Sequence, residues 1–569
     1  MDVTLPIPQL TNTFAEDGYL QRNLRRILGD ARYAEVEQDL SRFGADCAGP
    51  IREAGRRCEL HPPYHIPYDA WGNRTDDVWT CPEWKGMHAI AAKEGLIALA
   101  YSRPLGKETS RVYQLAKLYL FAPSSGLYSC PLAMTDGAAF IIEKVLRGSK
   151  AEREGEGYRN AQLEGALRHL TSQDEKEFWT SGQWMTERGG GSDVGAATAT
   201  TAVESEEGVW LLSGNKWFTS ATDAHMTFTL ARTSDANGGL DMFYLPTRDN
   251  QGKLNGLEIV RLKNKLGTRQ LPTAEMNLNG SRAVRVTRGG RGLGMIMNLA
   301  SITRVHNTVS AAAGMRRIVQ LAKDYSTRRE AFGRKLMELP AHVAALAELE
   351  VEARAACCLW LEMARLLGRI EAATASNDET MMFRLMVPLS KLQTGRQAVD
   401  VASRGIELFG GAGYMEDTGL PAHLRDAQVL AIWEGTSNVQ AMDVVRVNTQ
   451  TGGRALAALR RRFETTIGAD ARVTSLLDKA ERLLRDEFSE PLVLRASFLL
   501  ARAVSGGLML EHARDGKAMM SDAIASDRWL NGEMVVMHGT KVHAENKALV
   551  YAEGDYAITS QRRDGVSAL

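Results

Sequence analysis

The chain has 569 residues, more than one ordinary hydrophobic core accommodates, so several domains are expected. It is 44% hydrophobic and 24% charged, the balance of a soluble globular protein. Lys+Arg and Asp+Glu number 69 each, which excludes a global field favouring nucleic acid or an anionic membrane.

Residues 1–178 mix Pro/Gly-rich loops with helical patterns at 82–100 and 109–121. The stretch from Pro62-Pro63-Tyr64 to Asn73 reads as a loop anchored by its aromatics. Residues 179–288 change to strand texture. Short β-prone runs at 208–213, 225–232, 240–246, 257–262 and 273–278 are separated by Ala236-Asn237-Gly238-Gly239 and Asp249-Asn250-Gln251-Gly252. Short strands between regular turns predict a small barrel or sandwich. Residues 289–447 return to long amphipathic helices at 295–329, 341–372 and 379–409, which predict a bundle. Residues 448–569 form a further helical domain, with Gly452-Gly453 as its linker. Strands and helices do not alternate as a parallel nucleotide-binding sheet requires. The fold class is α+β, mostly α.

The six cysteines have neither metal-ligand spacing nor a disulfide pattern, which fits a reducing compartment and no metal. Met1-Asp2-Val3 opens no basic-then-apolar run, so no signal peptide is expected and a cytoplasmic location is. Ser567-Ala568-Leu569 loosely resembles a peroxisomal tripeptide. No membrane span is expected; the best candidate, 492–510, carries Arg495 and Arg502.

Four stretches carry chemistry. Ala431-Ile432-Trp433-Glu434-Gly435-Thr436-Ser437-Asn438 holds one carboxylate between large apolar residues and a turn. Apolar surroundings raise a carboxylate's pKa and make it a better general base, although the same octet is also an ordinary helix start. Met185-Thr186-Glu187-Arg188-Gly189-Gly190-Gly191-Ser192-Asp193 can present backbone amides and hydroxyls to a polar ring edge or a pyrophosphate, or can be a solvated glycine loop. Lys216-Trp217-Phe218-Thr219 offers an indole and a hydroxyl to a flat ring, or a core aromatic. Arg328-Arg329-Glu330-Ala331-Phe332-Gly333-Arg334 ends a helix with charges that suit its dipole or grip a phosphate. Gly289-Gly290-Arg291-Gly292-Leu293-Gly294 lacks the strand-turn-helix context of a dinucleotide fingerprint and reads as a connector. No Gly-x-Ser-x-Gly elbow supports a serine hydrolase.

These motifs, with Phe409-Gly410-Gly411-Ala412-Gly413-Tyr414 and Arg425-Asp426-Ala427, occur in the order found in the acyl-CoA dehydrogenase superfamily, which the chain resembles from about 182 to 447. Trp433 in place of a common Tyr, Asp76-Asp77-Val78 before Pro82-Glu83-Trp84, and the added C-terminal domain resemble its AidB branch, named for adaptive response to alkylation. The resemblance implies a helical N-terminal domain, a small β domain and a four-helix C-terminal domain around FAD. It further implies α,β-desaturation of an acyl-CoA, with Glu434 as α-proton base and hydride passing to flavin N5. Met185, Thr186, Gly191 and Ser192 then match isoalloxazine and pyrophosphate contacts, and Trp217 and Thr219 the residues packed on the ring. Arg329, Phe332, Phe409, Gly410 and Gly411 match residues that reach the FAD of a neighbouring subunit in a homotetramer. Thr436 and Asn438 match adenosine-diphosphate contacts, and Trp433, Gly435, Thr303 and Arg304 border the substrate. Thr303 stands where some members carry the base, and Pro340 and Glu407 where many carry Gln.

The partners implied are an acyl-CoA or fatty acyl ligand and an electron acceptor, either oxygen or an electron-transfer flavoprotein. The alternative is an AidB-like flavoprotein that binds DNA or sequesters acyl ligands with little turnover. Residues 448–569 hold 17 Lys+Arg and 16 Asp+Glu, a weak excess for a DNA binder, although Arg460-Arg461-Arg462 and Arg562-Arg563 cluster. Nitroalkane-oxidising relatives carry Asp at the base position, which Glu434 argues against.

Overall fold

The computed structural model describes residues 5–148, 156–234, 239–485, 489–531 and 539–552. The turn residues 236–238, Arg562-Arg563 and Ser567-Ala568-Leu569 lie outside them. The chain divides into two compact units, one of Glu53–Ser102 and Ser125–His306, the other of Met1–Arg52, Arg103–Ser124 and Asn307–Leu569.

The first unit contains strands β1 (Tyr64–Tyr68), β2 (Arg74–Trp79), β3 (Ser181–Trp184), β4 (Thr201–Glu206), β5 (Val209–Ser220), β6 (Met226–Thr233), β7 (Leu240–Pro246), β8 (Leu257–Leu262) and β9 (Thr273–Arg285). Pairing runs β6–β4–β5–β9–β7 and returns from β7 to β6, so the sheet closes into a barrel. β3 extends it beside β6, and β8 beside β9. Side chains alternate faces along a strand. On β7, Phe243 and Leu245 join Trp210, Leu212 and Met276 in one core. Met242 and Tyr244 join Ile141, Ile142, Leu163 and Leu299 from flanking helices in another.

The stretch read as a loop at 62–73 is instead the start of a hairpin, β1–β2. Asp76, in the left-handed region at φ 47°, anchors it. Its carboxylate accepts from His65 Nε2 or its tautomer at 2.9 Å, from Arg74 Nε at 2.8 Å and from the Ile259 N–H on β8 at 3.1 Å. Trp84 Nε1 donates to the buried Asp223 carboxylate at 2.8 Å. Both AidB-like stretches of the sequence therefore dock N-terminal segments onto the barrel. The helix expected over 82–100 is two helices, Pro82–Lys93 and Ala98–Ser102, broken where Gly95 takes φ 62°.

The second unit is helical. The long helices are α1 (Gly292–Arg328, in this unit from Asn307), α2 (Pro340–Glu371), α3 (Asn377–Glu407), α4 (Leu420–Leu430) and α5 (Ser437–Gln450). Pro340 opens α2, where its missing N–H costs nothing. Ser376 and Glu379 form a reciprocal capping box on α3. Between α1 and α2, β10 (Glu330–Ala331) and β11 (Arg334–Lys335) form a tight hairpin. Its corner residues Phe332 and Gly333 have φ 54° and 73°, as a two-residue hairpin turn requires.

Gly452 and Gly453, at φ 58° and 78°, turn the chain from α5 into α6 (Arg454–Ile467). α7 (Ala471–Arg485), α8 (Glu490–Ala513), α9 (Met520–Asn531) and α10 (Gly539–Tyr551) follow within the same unit. Buried ion pairs tie them in: Arg354 on α2 reaches Asp522 on α9 at 2.7 Å, and Arg462 on α6 pairs with Glu362 on α2 and Glu511 on α8. α8 is long and apolar enough by composition to cross a membrane, yet most of it is buried against neighbouring helices, and Arg502 donates to the Trp529 carbonyl. All six cysteines are buried, and none forms a disulfide.

Candidate active site

In the barrel unit, the Met185–Asp193 loop leaves β3 and is pinned from behind by its own Glu187. That carboxylate accepts from Lys216 Nζ at 2.8 Å, Ala199 N–H at 2.7 Å, Thr200 N–H at 3.2 Å and Thr200 Oγ1 at 2.5 Å. Burial pushes the Glu187 carboxyl up, but Lys216 and these donors bring it below its ordinary value. Lys216 itself is fully buried. Thr186, Gly191 and Ser192 stay at the surface, partly or wholly exposed, with Met185 half-buried. A Cβ at Gly191 would lie 3.0 Å from Thr186 Cγ2, so the loop folds glycine against threonine.

On β5 the register against β9 shifts between Lys216 and Thr219. This bulge puts Trp217 and Phe218 together outside two buried residues, because an extra residue breaks the alternation. Thr219 is buried, and its hydroxyl donates to the Ala274 carbonyl at 2.9 Å. The Trp217 ring is covered by Lys263 Nζ, 3.2 Å from its centroid. Phe218 is 53% exposed, and Trp217 and Ser220 are half-buried. The sequence singled out Trp217 and Thr219; the strand leaves Trp217 half-buried and Thr219 buried. Thr303 and Arg304, at the end of this unit, are buried, and the Thr303 hydroxyl donates back to Ala300 O at 3.1 Å.

In the helical unit, Glu434 sits in the turn between α4 and α5 at φ 58°, followed by Gly435 at φ 103°. A left-handed conformation is costly for any residue with a Cβ and clusters at functional positions. Beside it, Trp433 Nε1 is buried with no hydrogen-bond partner among the described residues. The carbonyls of the turn are held from outside: Gln440 Nε2 donates to Glu434 O at 2.6 Å, and Lys391 Nζ to Gly435 O at 2.5 Å. Thr436 is the N-cap of α5 but makes no side-chain capping bond, and Asn438 is exposed in its first turn. The helix thus begins with hydroxyl and N–H groups suited to an anion.

A second cluster in the same unit surrounds a cavity of about 920 Å³. Arg329, Phe409, Gly410 and Gly411 line it, with Tyr325 and His342. The Arg329 guanidinium has no partner among the described residues, and His342 Nε2 is buried without one. Gly410 takes φ 58°, and a Cβ at Gly413 would lie 1.9 Å from Ile406 O. Only glycine lets this segment cross so close to α3. Phe332, at the β10–β11 corner, is 92% exposed. Four residues linked by resemblance alone thus converge on one cavity, whose lining does not include the Glu434 turn. Sequence reasoning missed Lys391 and Gln440; Glu187 and Lys216 were in view, but with no hint that they pair.

Three family models match the chain. Residues 182–281 match the acyl-CoA dehydrogenase middle domain, 290–448 its C-terminal domain, and 6–152 the adaptive response protein AidB N-terminal domain. "Acyl-CoA dehydrogenase family member 11" of Caenorhabditis elegans is 42% identical over 550 residues, covering 92% of this chain and 88% of that one. The chain belongs to the acyl-CoA dehydrogenase family. Within it, the AidB-like branch is indicated by the N-terminal match and by "Putative acyl-CoA dehydrogenase AidB" of Escherichia coli K12, 30% identical over 77% of this chain and 78% of that one. The crystal structure of C. elegans ACDH-11 in complex with C11-CoA superposes with a TM-score of 0.89 at 39% identity, covering 100% of this chain and 97% of the other. As an acyl-CoA dehydrogenase family member the chain has the expected fold class, a barrel domain among helical ones.

Proposed function

We propose that this protein is an FAD-dependent acyl-CoA dehydrogenase that desaturates an acyl thioester between its α and β carbons. The observation that carries the reading is Glu434, a carboxylate on a left-handed turn beside an unpartnered indole N–H. Glu434 takes the α-proton, and its backbone N–H holds the thioester oxygen, where enolate charge develops. Bound FAD would supply the acceptor for the hydride that leaves the β-carbon.

FAD fits what the residues offer. The uncapped start of α5 at Thr436 and Asn438 suits a pyrophosphate, as do the Thr186–Ser192 hydroxyls and amides. Trp217 and Thr219 are assigned to the flat ring and its edge. Arg329, Phe409, Gly410, Gly411 and the exposed Phe332 are assigned to the cofactor of a neighbouring copy in a homotetramer. His342 Nε2, buried with no partner among the described residues and lining the same cavity as Arg329, supports this, since a buried polar group left without a partner is costly. A monomeric form that keeps full FAD occupancy would overturn the trans assignment.

DNA binding is not part of the reading. Arg460 pairs with Asp478 and Glu481, Arg461 with Asp378, and Arg462 with Glu362 and Glu511, so the cluster's charges are matched. The deciding experiment is anaerobic titration of the FAD-loaded protein with C11-CoA and with shorter and branched acyl-CoAs, for wild type and Glu434→Gln. Bleaching of the oxidised flavin band in wild type alone supports the dehydrogenase. A band that is perturbed by ligand but never bleached favours a binding role instead.

A further inference from the structure

We propose that Lys391 and Gln440 are positioning residues for the reaction: together they clamp the two successive peptides that follow Glu434 and hold the turn that carries the base in its working conformation. The inference rests on the reading of Glu434 as the α-proton base.

Glu434 occupies the left-handed region at φ 58° and Gly435 lies at φ 103°, so this dipeptide is not in its lowest local basin. Something outside the turn must hold it. Gln440, fully buried on the first turns of α5, donates to Glu434 O at 2.6 Å and more weakly to Gly435 O at 3.4 Å. Lys391, 1% exposed on α3, donates to Gly435 O at 2.5 Å. The packing leaves no slack around these donors. A Cβ at Gly435 would lie 2.6 Å from Gln440 Nε2, and one at Gly395, a helical turn beyond Lys391, 2.7 Å from Leu430 O. Asn307 Nδ2 donates to that same Leu430 carbonyl at 3.2 Å, so the end of α4 is also tied down.

A peptide is planar, with its C=O and N–H opposed, so fixing a carbonyl fixes the amide behind it. Flipping the Glu434–Gly435 peptide would change Glu434 ψ and Gly435 φ and break the Gln440 bond. Flipping the next peptide would break the Lys391 bond. With both bonds in place the turn that carries Glu434 keeps one backbone conformation. Misplacing a catalytic group by about 1 Å costs on the order of a hundredfold in rate, which is the size of effect such a clamp protects against.

The test compares FAD-loaded wild type, Lys391→Met, Lys391→Arg, Gln440→Leu and Glu434→Gln. Two readouts are taken with C11-CoA in D2O: dissociation constant from perturbation of the flavin spectrum, and deuterium uptake at the thioester α-carbon by mass spectrometry. Exchange reports proton removal alone. The expected result is FAD content and dissociation constants within about threefold of wild type, with exchange slowed at least about tenfold in Lys391→Met and Gln440→Leu. Lys391→Arg, which keeps a donor, should recover part of the rate. Exchange at the wild-type rate in both variants overturns the clamp, as does loss of binding and FAD in step with exchange, which would mark a structural role. If Lys391→Met does not fold, Gln440→Leu carries the same decision, since it removes only a neutral amide. Glu434→Gln separates the two levels. Wild-type exchange in that variant would sink the base assignment itself, whereas lost exchange there with normal exchange in the clamp variants sinks only the clamp.

Discussion

Glu187 and Glu434 lie in the two motifs that most strongly suggested chemistry, and the structure uses them in opposite ways. Glu187 turns inward, pairs with the fully buried Lys216 and caps three further donors, so it shapes the glycine loop while its neighbours face outward. Glu434 is itself the candidate reacting group, and its turn is shaped by residues from outside the motif, Lys391 and Gln440. One motif carries its own scaffold and the other borrows it. A carboxylate in a functional motif is therefore not a functional carboxylate until its partners are known.

Neutralising each carboxylate in turn is the sharpest way to break this comparison. Glu434→Gln should slow flavin bleaching by about a thousandfold or more, within the range for loss of a general base, and leave thermal stability nearly unchanged. Glu187→Gln should do the reverse. It leaves Lys216 buried without its counter-charge, a loss of about 3 kcal/mol read as a lower urea midpoint, while protein that remains folded still bleaches. A Glu187→Gln protein of normal stability would mean the pair holds nothing in place.

Acid titration sharpens the same contrast at smaller scale. The Glu187 carboxyl lies below its ordinary value in the folded protein, so its pairing stabilises fully above the unfolded value of about 4.3. That contribution is lost as pH falls through the lowered folded value. Wild type should therefore lose stability faster than Glu187→Gln below about pH 4.3, measured as urea midpoints from pH 7 to pH 3. Parallel curves would exclude a charged Glu187.

Much of this was legible in the sequence, for physical reasons that also mark its limits. The runs that became β6 to β9 alternate or saturate with apolar residues, and the long helices repeat theirs at helical spacing, so both periods were readable. β4 was not, because only Ala202 and no other residue of Thr201–Glu206 is buried. The β1–β2 hairpin was hidden by Pro67 and by side chains of which only Asp76 is buried. The bulge at Trp217-Phe218 depends on how many residues the partner strand β9 offers, a fact no local window contains. The order of the site motifs was visible, whereas the groups that hold the Glu434 turn come from α3 and α5, and Lys391 lies 44 positions from the carbonyl it binds. Fold follows from local periodicity; the support of a site is long-range and does not.

The smallest expected effect has the most diagnostic sign. If Glu434 is held in the left-handed region for the reaction rather than for stability, a residue more at ease there should stabilise the protein while abolishing its chemistry. Asn visits that region several times more readily than Glu or Gln, because its short side chain can bond locally to the backbone. Glu434→Asn should then exceed Glu434→Gln in stability by about 0.5 kcal/mol, with both unable to bleach flavin. Gln is the proper reference because it removes the charge and keeps the backbone preference, so the difference isolates strain at φ 58°. The measurement is the urea midpoint of the two variants under one buffer. An Asn variant no more stable than Gln would mean the clamp and the surrounding helices already favour the left-handed turn, and that the function of this residue costs the fold nothing.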